Sequence, residues 1–311
     1  MIGKQSIRKQ SVGNVKAVAE NQLDHFINGR TALPSNGLYL DGSNPKNGRV
    51  ISRVARGNAA DVDAAVRAAE FALTAWRNMR PSARGRILNE IARKIRERIN
   101  DFTVIECRET GKSASMAKAE IEATAQYFEF YGGLVNAIQG NTIDIGVGYH
   151  SYTRREPFGV VGAILPWNAP LNQAGRACAP ALAAGNTVVA KPSEATSGSL
   201  LELARMAVEE CGLEAGVFNV VTGLGKEAGE SMVQGRAQAD LHRFSTRWPR
   251  DRPNRRRTDF TTDLGTRREI AGHRICRCGS GGGGAGGPKR LSPSRRTNLP
   301  DGRPGSRRDH L

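Results

Sequence analysis

Three short runs of almost uninterrupted apolar residues constrain this chain more than anything else in it: Val160 to Leu165, Thr187 to Lys191 and Val217 to Val221. Each is shorter than an ordinary helix, and none alternates as a half-exposed strand would. A strand that is apolar on both sides must be covered on both faces, which is the situation of a parallel sheet. Helical stretches separate the runs. Leu171 to Ala184 is one, Ser197 to Cys211 is another with Gly212 as its C-cap, and a third runs from Lys226 to about Gln234. Strand and helix in alternation, joined by right-handed crossovers, predict an α/β fold with a Rossmann-like sheet.

Upstream the period is helical. Asn58 to Trp76 reads as a helix capped by Asn58, with Val62, Ala65, Val66, Ala69 and Leu73 on one face. Pro81 to Glu106 reads as one further helix with Ile87, Leu88, Ile91, Ile95 and Ile99 inward. Glu109-Thr110-Gly111-Lys112 ends a helix, and Ala117 to Ile138 resumes one. Leu38 to Arg53 reads as extended chain around a turn, and Thr142 to Arg155 as a hairpin turning near Gly146 and Gly148.

In such a sheet ligands bind beyond the carboxyl ends of the strands. Those ends are Pro166-Trp167-Asn168, Lys191-Pro192-Ser193-Glu194 and Thr222-Gly223-Leu224-Gly225. Lys191 offers a cation and Glu194, three residues on, a carboxylate. A carboxylate beside a ribose accepts hydrogen bonds from its hydroxyls and repels a 2′-phosphate, which favours NAD over NADP. Gly223, Gly225 and Gly229 let backbone approach a ligand at a helix start. Turn glycines alone would read the same way.

The longer strings are more specific. Glu156 to Pro170 (EPFGVVGAILPWNAP), Pro180 to Glu194 (PALAAGNTVVAKPSE) and Gly216 to Gly223 (GVFNVVTG) resemble, in order and spacing, three signatures of the NAD(P)-dependent aldehyde dehydrogenase superfamily. The similarity runs from about Leu38 to Leu241. It implies that Asn168 is the side-chain donor of an oxyanion hole, an effect on the order of 3 kcal/mol for one donor in other enzymes. It implies cofactor-binding roles for Leu165, Pro166, Trp167, Lys191, Ser193, Glu194, Gly225 and Gly229, with NAD as cofactor and an aldehyde as substrate. It also implies a homo-oligomer joined through Thr142 to Arg155. The family's chemistry uses a cysteine thiolate that attacks the aldehyde and a glutamate that activates water. The glutamate's Glu-Leu-Gly-Gly-Lys segment and the glycine- and glutamine-preceded cysteine are both missing from this sequence.

What stands in their place is a different composition. Residues 244–311 hold 17 of the chain's 46 basic residues, sixteen of them arginine, but only 6 of its 30 acidic ones. Codons can be chosen for Asp263 to Gly284 that, read one nucleotide later, spell Thr-Leu-Glu-Leu-Gly-Gly-Lys and a following apolar strand. The tail is therefore expected to be an out-of-frame reading of the ordinary enzyme and to be disordered, since its apolar content is too low to offset ordering entropy. A basic nucleic-acid-binding arm is the competing reading. Its aromatics are few (Phe244, Trp248, Phe260), so no specific nucleic acid is expected.

The expected organisation is thus a flexible arm at 1–21, a partial cofactor-binding domain at 22–243 with the hairpin 142–155, and the tail at 244–311. The parallel sheet is expected to be incomplete, with its third strand left as an unpaired edge, and the chain to be of doubtful activity. No apolar run is long enough to span a membrane, and Met1 to Asn21 is polar, so a cytoplasmic enzyme is expected. Five scattered cysteines argue against a disulfide framework, and Cys276-x-Cys278, without a second ligand pair, against a metal site.

Overall fold

The computed structural model describes residues 21–234 and two further strands at Gln238–Leu241 and Arg274–Arg277. The expected arm at 1–21 lies outside the described residues except for Asn21. So does the expected tail at 244–311, except for that last strand. The chain opens with strands β1 (Asn21–Leu23), β2 (His25–Ile27), β3 (Arg30–Ala32), β4 (Tyr39–Ser43) and β5 (Val50–Ala55). Helices α1 (Ala59–Asn78), α2 (Pro81–Glu97), α3 (Ile99–Thr110) and α4 (Ala114–Leu134) follow. Then come β6 (Thr142–Ile143), β7 (Tyr149–Tyr152), β8 (Val160–Ile164), α5 (Pro170–Ala183), β9 (Thr187–Lys191), α6 (Gly198–Glu209) and β10 (Phe218–Val220). A π-turn at Gly225–Gly229 leads into α7 (Glu230–Gln234), followed by β11 (Gln238–Leu241) and β12 (Arg274–Arg277).

The three apolar runs form the centre of a six-stranded sheet in the order β11-β8-β9-β10-β2-β3, with β11, β8, β9 and β10 parallel. The period of a strand sorts its side chains. Val188 and Ala190 of β9 join a core built with α2 to α6, while Val189 between them packs with Val62, Ala65, Val66 and Ala69 of α1 and Met232 of α7. Both faces are therefore covered, as the unbroken runs require. Helix α1 begins where expected: Asn58 accepts from the N–H groups of Ala60 and Asp61, and Asp61 accepts from the N–H of Asn58. This reciprocal cap satisfies donors that the helix leaves open.

Two expectations fail. The third parallel strand is not a free edge: β10 pairs antiparallel with β2, and β2 with β3, so the N-terminal hairpin continues the sheet beyond it and β3 takes the outer position. The strands β2 and β3 are three residues each, too short to show a period in sequence. The single helix expected over Pro81 to Glu106 is two. Arg98 leaves helical geometry (φ −104°, ψ 22°), and its guanidinium pairs with Glu202 and Glu210 at the far helix α6. The apolar spacing from Ile95 to Phe102 keeps helical register, so nothing in it marks the break. Gly111 (φ 75°) then ends α3 in the left-handed region that glycine enters without strain.

The hairpin β6–β7 projects as a separate small sheet, with β12 against β7. Gly146 and Gly148 turn it at positive φ, as expected. Strands β4 and β5 form the expected extended pair, with β1 parallel to β5.

Candidate cofactor cleft and carbonyl site

The ends of β8, β9 and β10 lie side by side; Leu165 to Asn168 follow β8, Lys191 to Glu194 end and follow β9, and Gly225 and Gly229 bound the π-turn after β10. Leu165 N–H donates to the carbonyl of Lys191 (2.9 Å), which ties the first two strand ends together. The Leu165 side chain is buried in the core shared with α5, so its main chain is what it can offer a cleft. Pro166 is half-buried. Trp167 stands 58% exposed, and Asn168 is exposed beside it. Among the described residues the Asn168 side-chain amide has no hydrogen-bond partner, so its N–H groups are free to meet a ligand.

Lys191 is the most unusual residue at the second strand end. Its side chain is 2% exposed, yet its Nζ donates only to the carbonyl of Pro192 (2.7 Å), with a Glu194 oxygen at 3.8 Å. Burial pulls the ammonium pKa down to about 8, against the opposing pull of Glu194. Ser193 is nearly buried, and its hydroxyl accepts from Ala195 N–H (3.3 Å). The Glu194 carboxylate is 43% exposed. A Cβ on Gly229 would sit 3.5 Å from Lys191 Cδ, so the π-turn packs beside the lysine stem. Gly225, at the start of that turn, faces open space.

The third strand end is fixed by polar contacts. Thr222 N–H donates to His25 Nδ1 (3.1 Å), and Thr222 Oγ1 donates to the carbonyl of Ala55 (2.9 Å). His25 therefore carries its proton on Nε2, which faces Asp61 at 3.6 Å. Burial lowers the His25 pKa, with Asp61 opposing. Gly223 (φ 134°) passes so close to Gly57 that a Cβ would meet its nitrogen at 2.7 Å. Arg56 grips Glu227 with two hydrogen bonds and so anchors the π-turn.

Beneath the first two strand ends lies a buried charge cluster that the sequence reading passed over. Glu106 Oε1 accepts from Leu171 N–H (3.1 Å) at the start of α5 and from Ser199 Oγ (2.9 Å) on α6. Glu109, one turn on, accepts from Gly198 N–H (3.0 Å) at the start of α6. Neither helix has a side-chain cap of its own, so two carboxylates of α3 cap α5 and α6 from a distance. Lys112 Nζ pairs with Glu106 (3.0 Å) and with Glu120, and donates to the Asn168 carbonyl (3.2 Å). The readable signal is that Phe102, Glu106 and Glu109 share the spacing of a buried helical stripe. Read only as a helix end, Glu109 to Lys112 hid it.

Burial pushes the Cys211 thiol up to about 12, with Glu90 and Glu210 adding to it. Cys178 is buried and Cys107 half-buried. Among the described residues no group of His, Cys, Asp and Glu is arranged to hold a metal ion, and no helix is long and apolar enough to cross a membrane. The side chains of Cys276 and Cys278 lie outside the described residues.

Comparison with known proteins places the fold among relatives. The profile of the aldehyde dehydrogenase family matches residues 34–241. Among solved structures, PnpE in complex with nicotinamide adenine dinucleotide is 37% identical with a TM-score of 0.68, covering 70% of this chain and 45% of its own, and PnpE from Pseudomonas sp. WBC-3 is 38% identical with a TM-score of 0.67, covering 69% and 44%. An NAD-dependent aldehyde dehydrogenase from Sinorhizobium meliloti is 34% identical with a TM-score of 0.67, covering 71% and 45%. An aldehyde dehydrogenase variant from Bacillus cereus is 35% identical with a TM-score of 0.69, covering 73% and 47%. The chain thus spans less than half the length of each of these relatives.

Proposed function

Because this chain belongs to the aldehyde dehydrogenase family, we propose that it holds the adenosine end of NAD at Lys191, Ser193 and Glu194 and presents Asn168 to an aldehyde carbonyl. The reaction served is oxidation of an aldehyde to a carboxylic acid. The observation that carries this reading is the state of Lys191. Its ammonium has three donors, is shut away from water, and spends one donor on a carbonyl. Vicinal ribose hydroxyls supply the missing acceptors, and Glu194 supplies an acceptor for their protons. That PnpE was solved with nicotinamide adenine dinucleotide supports the choice of ligand.

When bound, NAD supplies the hydride acceptor. The chain's own residues do the rest of what can be assigned here. Pro166 and Trp167 stand beside Asn168, and Gly225 and Gly229 bring no side chain of their own to the neighbouring turn. An Asn168 amide N–H, aimed at the carbonyl oxygen, grows stronger as that oxygen gains negative charge, which lowers the barrier by about 3 kcal/mol. The Glu194 carboxylate disfavours a cofactor carrying a 2′-phosphate through like-charge repulsion.

One observation favours a second reading, NAD binding without turnover. None of Cys107, Cys178 and Cys211 is exposed, and the Cys211 thiol stays protonated at neutral pH. Association of copies is proposed through the hairpin β6–β7, which leaves Ile143, Ile145, Val147 and Tyr149 exposed.

Calorimetric titration of the purified chain with NAD tests the first reading. Lys191→Ala is expected to weaken binding at least tenfold, and Glu194→Gln to narrow the preference for NAD over NADP. Wild-type binding indifferent to both changes would remove the cofactor assignment. NADH formation with a panel of aldehydes separates the readings: turnover supports the enzyme, and binding alone supports the second.

A further inference from the structure

We propose that Lys112 is a positioning residue for Asn168, fixing the peptide from which the carbonyl-binding amide projects. The proposal rests on the reading of Asn168 as that donor. Asn168 stands in the short connection between β8 and α5, and its side chain has no partner among the described residues. Where its amide points is therefore decided by the backbone beneath it. That backbone is held from one side. Lys112 Nζ donates to the Asn168 carbonyl at 3.2 Å, Glu106 Oε1 receives Leu171 N–H at 3.1 Å, and Asn172 Nδ2 reaches the carbonyl of Glu120 at 3.4 Å. Lys112 joins all three contacts, because it also pairs with Glu106 and Glu120, and its side chain is only 6% exposed. Two carboxylates hold the ammonium in one place, so it is a rigid strut and not a wandering surface lysine. Its position follows from Gly111, whose left-handed turn ends α3 and sends Lys112 back under the loop.

The logic is that of an outer contact aiming an inner one, as hydrogen bonds behind a ligating side chain orient it. A charge-assisted hydrogen bond with little solvent competition is strong enough to choose one peptide orientation over others.

The test uses the full-length chain labelled with nitrogen-15. The Asn168 side-chain amide signal is assigned by its loss in Asn168→Ala. The variant Lys112→Met/Glu120→Gln removes the strut while keeping the local net charge. In it the Asn168 signal is expected to shift or broaden. Hydrogen exchange at Gln173 N–H, which closes the first turn of α5 on the Ala169 carbonyl, is expected to speed about tenfold. Glu120→Gln alone keeps the Lys112–Asn168 contact and is expected to move neither. Lys112→Gln provides a second folded candidate with the same expected displacement. A wild-type Asn168 signal and Gln173 exchange in both Lys112 variants would overturn the proposal, as would an equal effect from Glu120→Gln alone. NAD affinity should stay within twofold throughout. Failure of the wild type to bind NAD would count against the cofactor reading and leave this one standing.

Discussion

Glu109 shows how one buried side chain ties stability to pH. Burial raises its pKa from 4.5 to about 8, although Gly198 N–H donates to it, and neighbouring Glu106 adds repulsion. In the window between those values the folded chain keeps a proton that the unfolded chain releases. Its contribution to stability is therefore whole below pH 4.5 and is lost as pH rises toward 8. Glu109→Gln stays neutral and still accepts from Gly198 N–H through its carbonyl oxygen. The variant and the wild type are expected to melt together at pH 5, with the variant more stable at pH 8. Parallel melting curves at pH 5, 6.5 and 8 would show that Glu109 is ionised in the fold at no cost. Lys191 is the converse case. Its lowered pKa means the cation itself is strained by burial, and a bound ribose would relieve that strain.

At the scale of elements, what could be read in advance followed from period and length. Runs such as Thr187 to Lys191 named β9, and Asn58 followed by Val62, Ala65, Val66 and Ala69 named α1 with its cap. Asn58→Ala removes the acceptor for Ala60 N–H and Asp61 N–H and is expected to cost about 1 kcal/mol. Urea denaturation with an unchanged slope measures it, and a loss below a few tenths would mean water replaces the cap. The positions of Asn168, Lys191 and Glu194 at the strand ends were legible from the apolar runs that precede them, while their binding roles stand as the proposal above. The break at Arg98 was not legible, since it depends on Glu202 and Glu210 a hundred residues away. Nor were the caps from Glu106 and Glu109, because a carboxylate on a buried stripe reveals its partners only after the helices meet. Strands as short as β2 and β3 carry no pattern of their own and are strands because β10 is beside them.

At the scale of the whole molecule, the main sheet ends, among the described residues, in a terminal strand on each side. On one side β2 and β3 extend it beyond β10, with β3 outermost. On the other, among the described residues, β11 pairs only with β8. Removing residues 1–32 is expected to uncover β10 and add a new mode of association through it, because an unpaired edge is a template for another strand. Sedimentation velocity of the shortened and intact chains decides the point, and an unchanged profile with unchanged stability would show that the hairpin is dispensable. The pairing also sets an order of events during synthesis. Asn28 N–H meets the Asn219 side chain across 191 positions of sequence. The hairpin leaves the ribosome long before β10 and has no sheet to join until β8, β9 and β10 have followed. Closing so long a loop costs entropy that only the assembled sheet can repay. The β2–β3 hairpin is thus among the last elements to find its place, and a nascent chain stalled before Phe218 carries it with nowhere to dock.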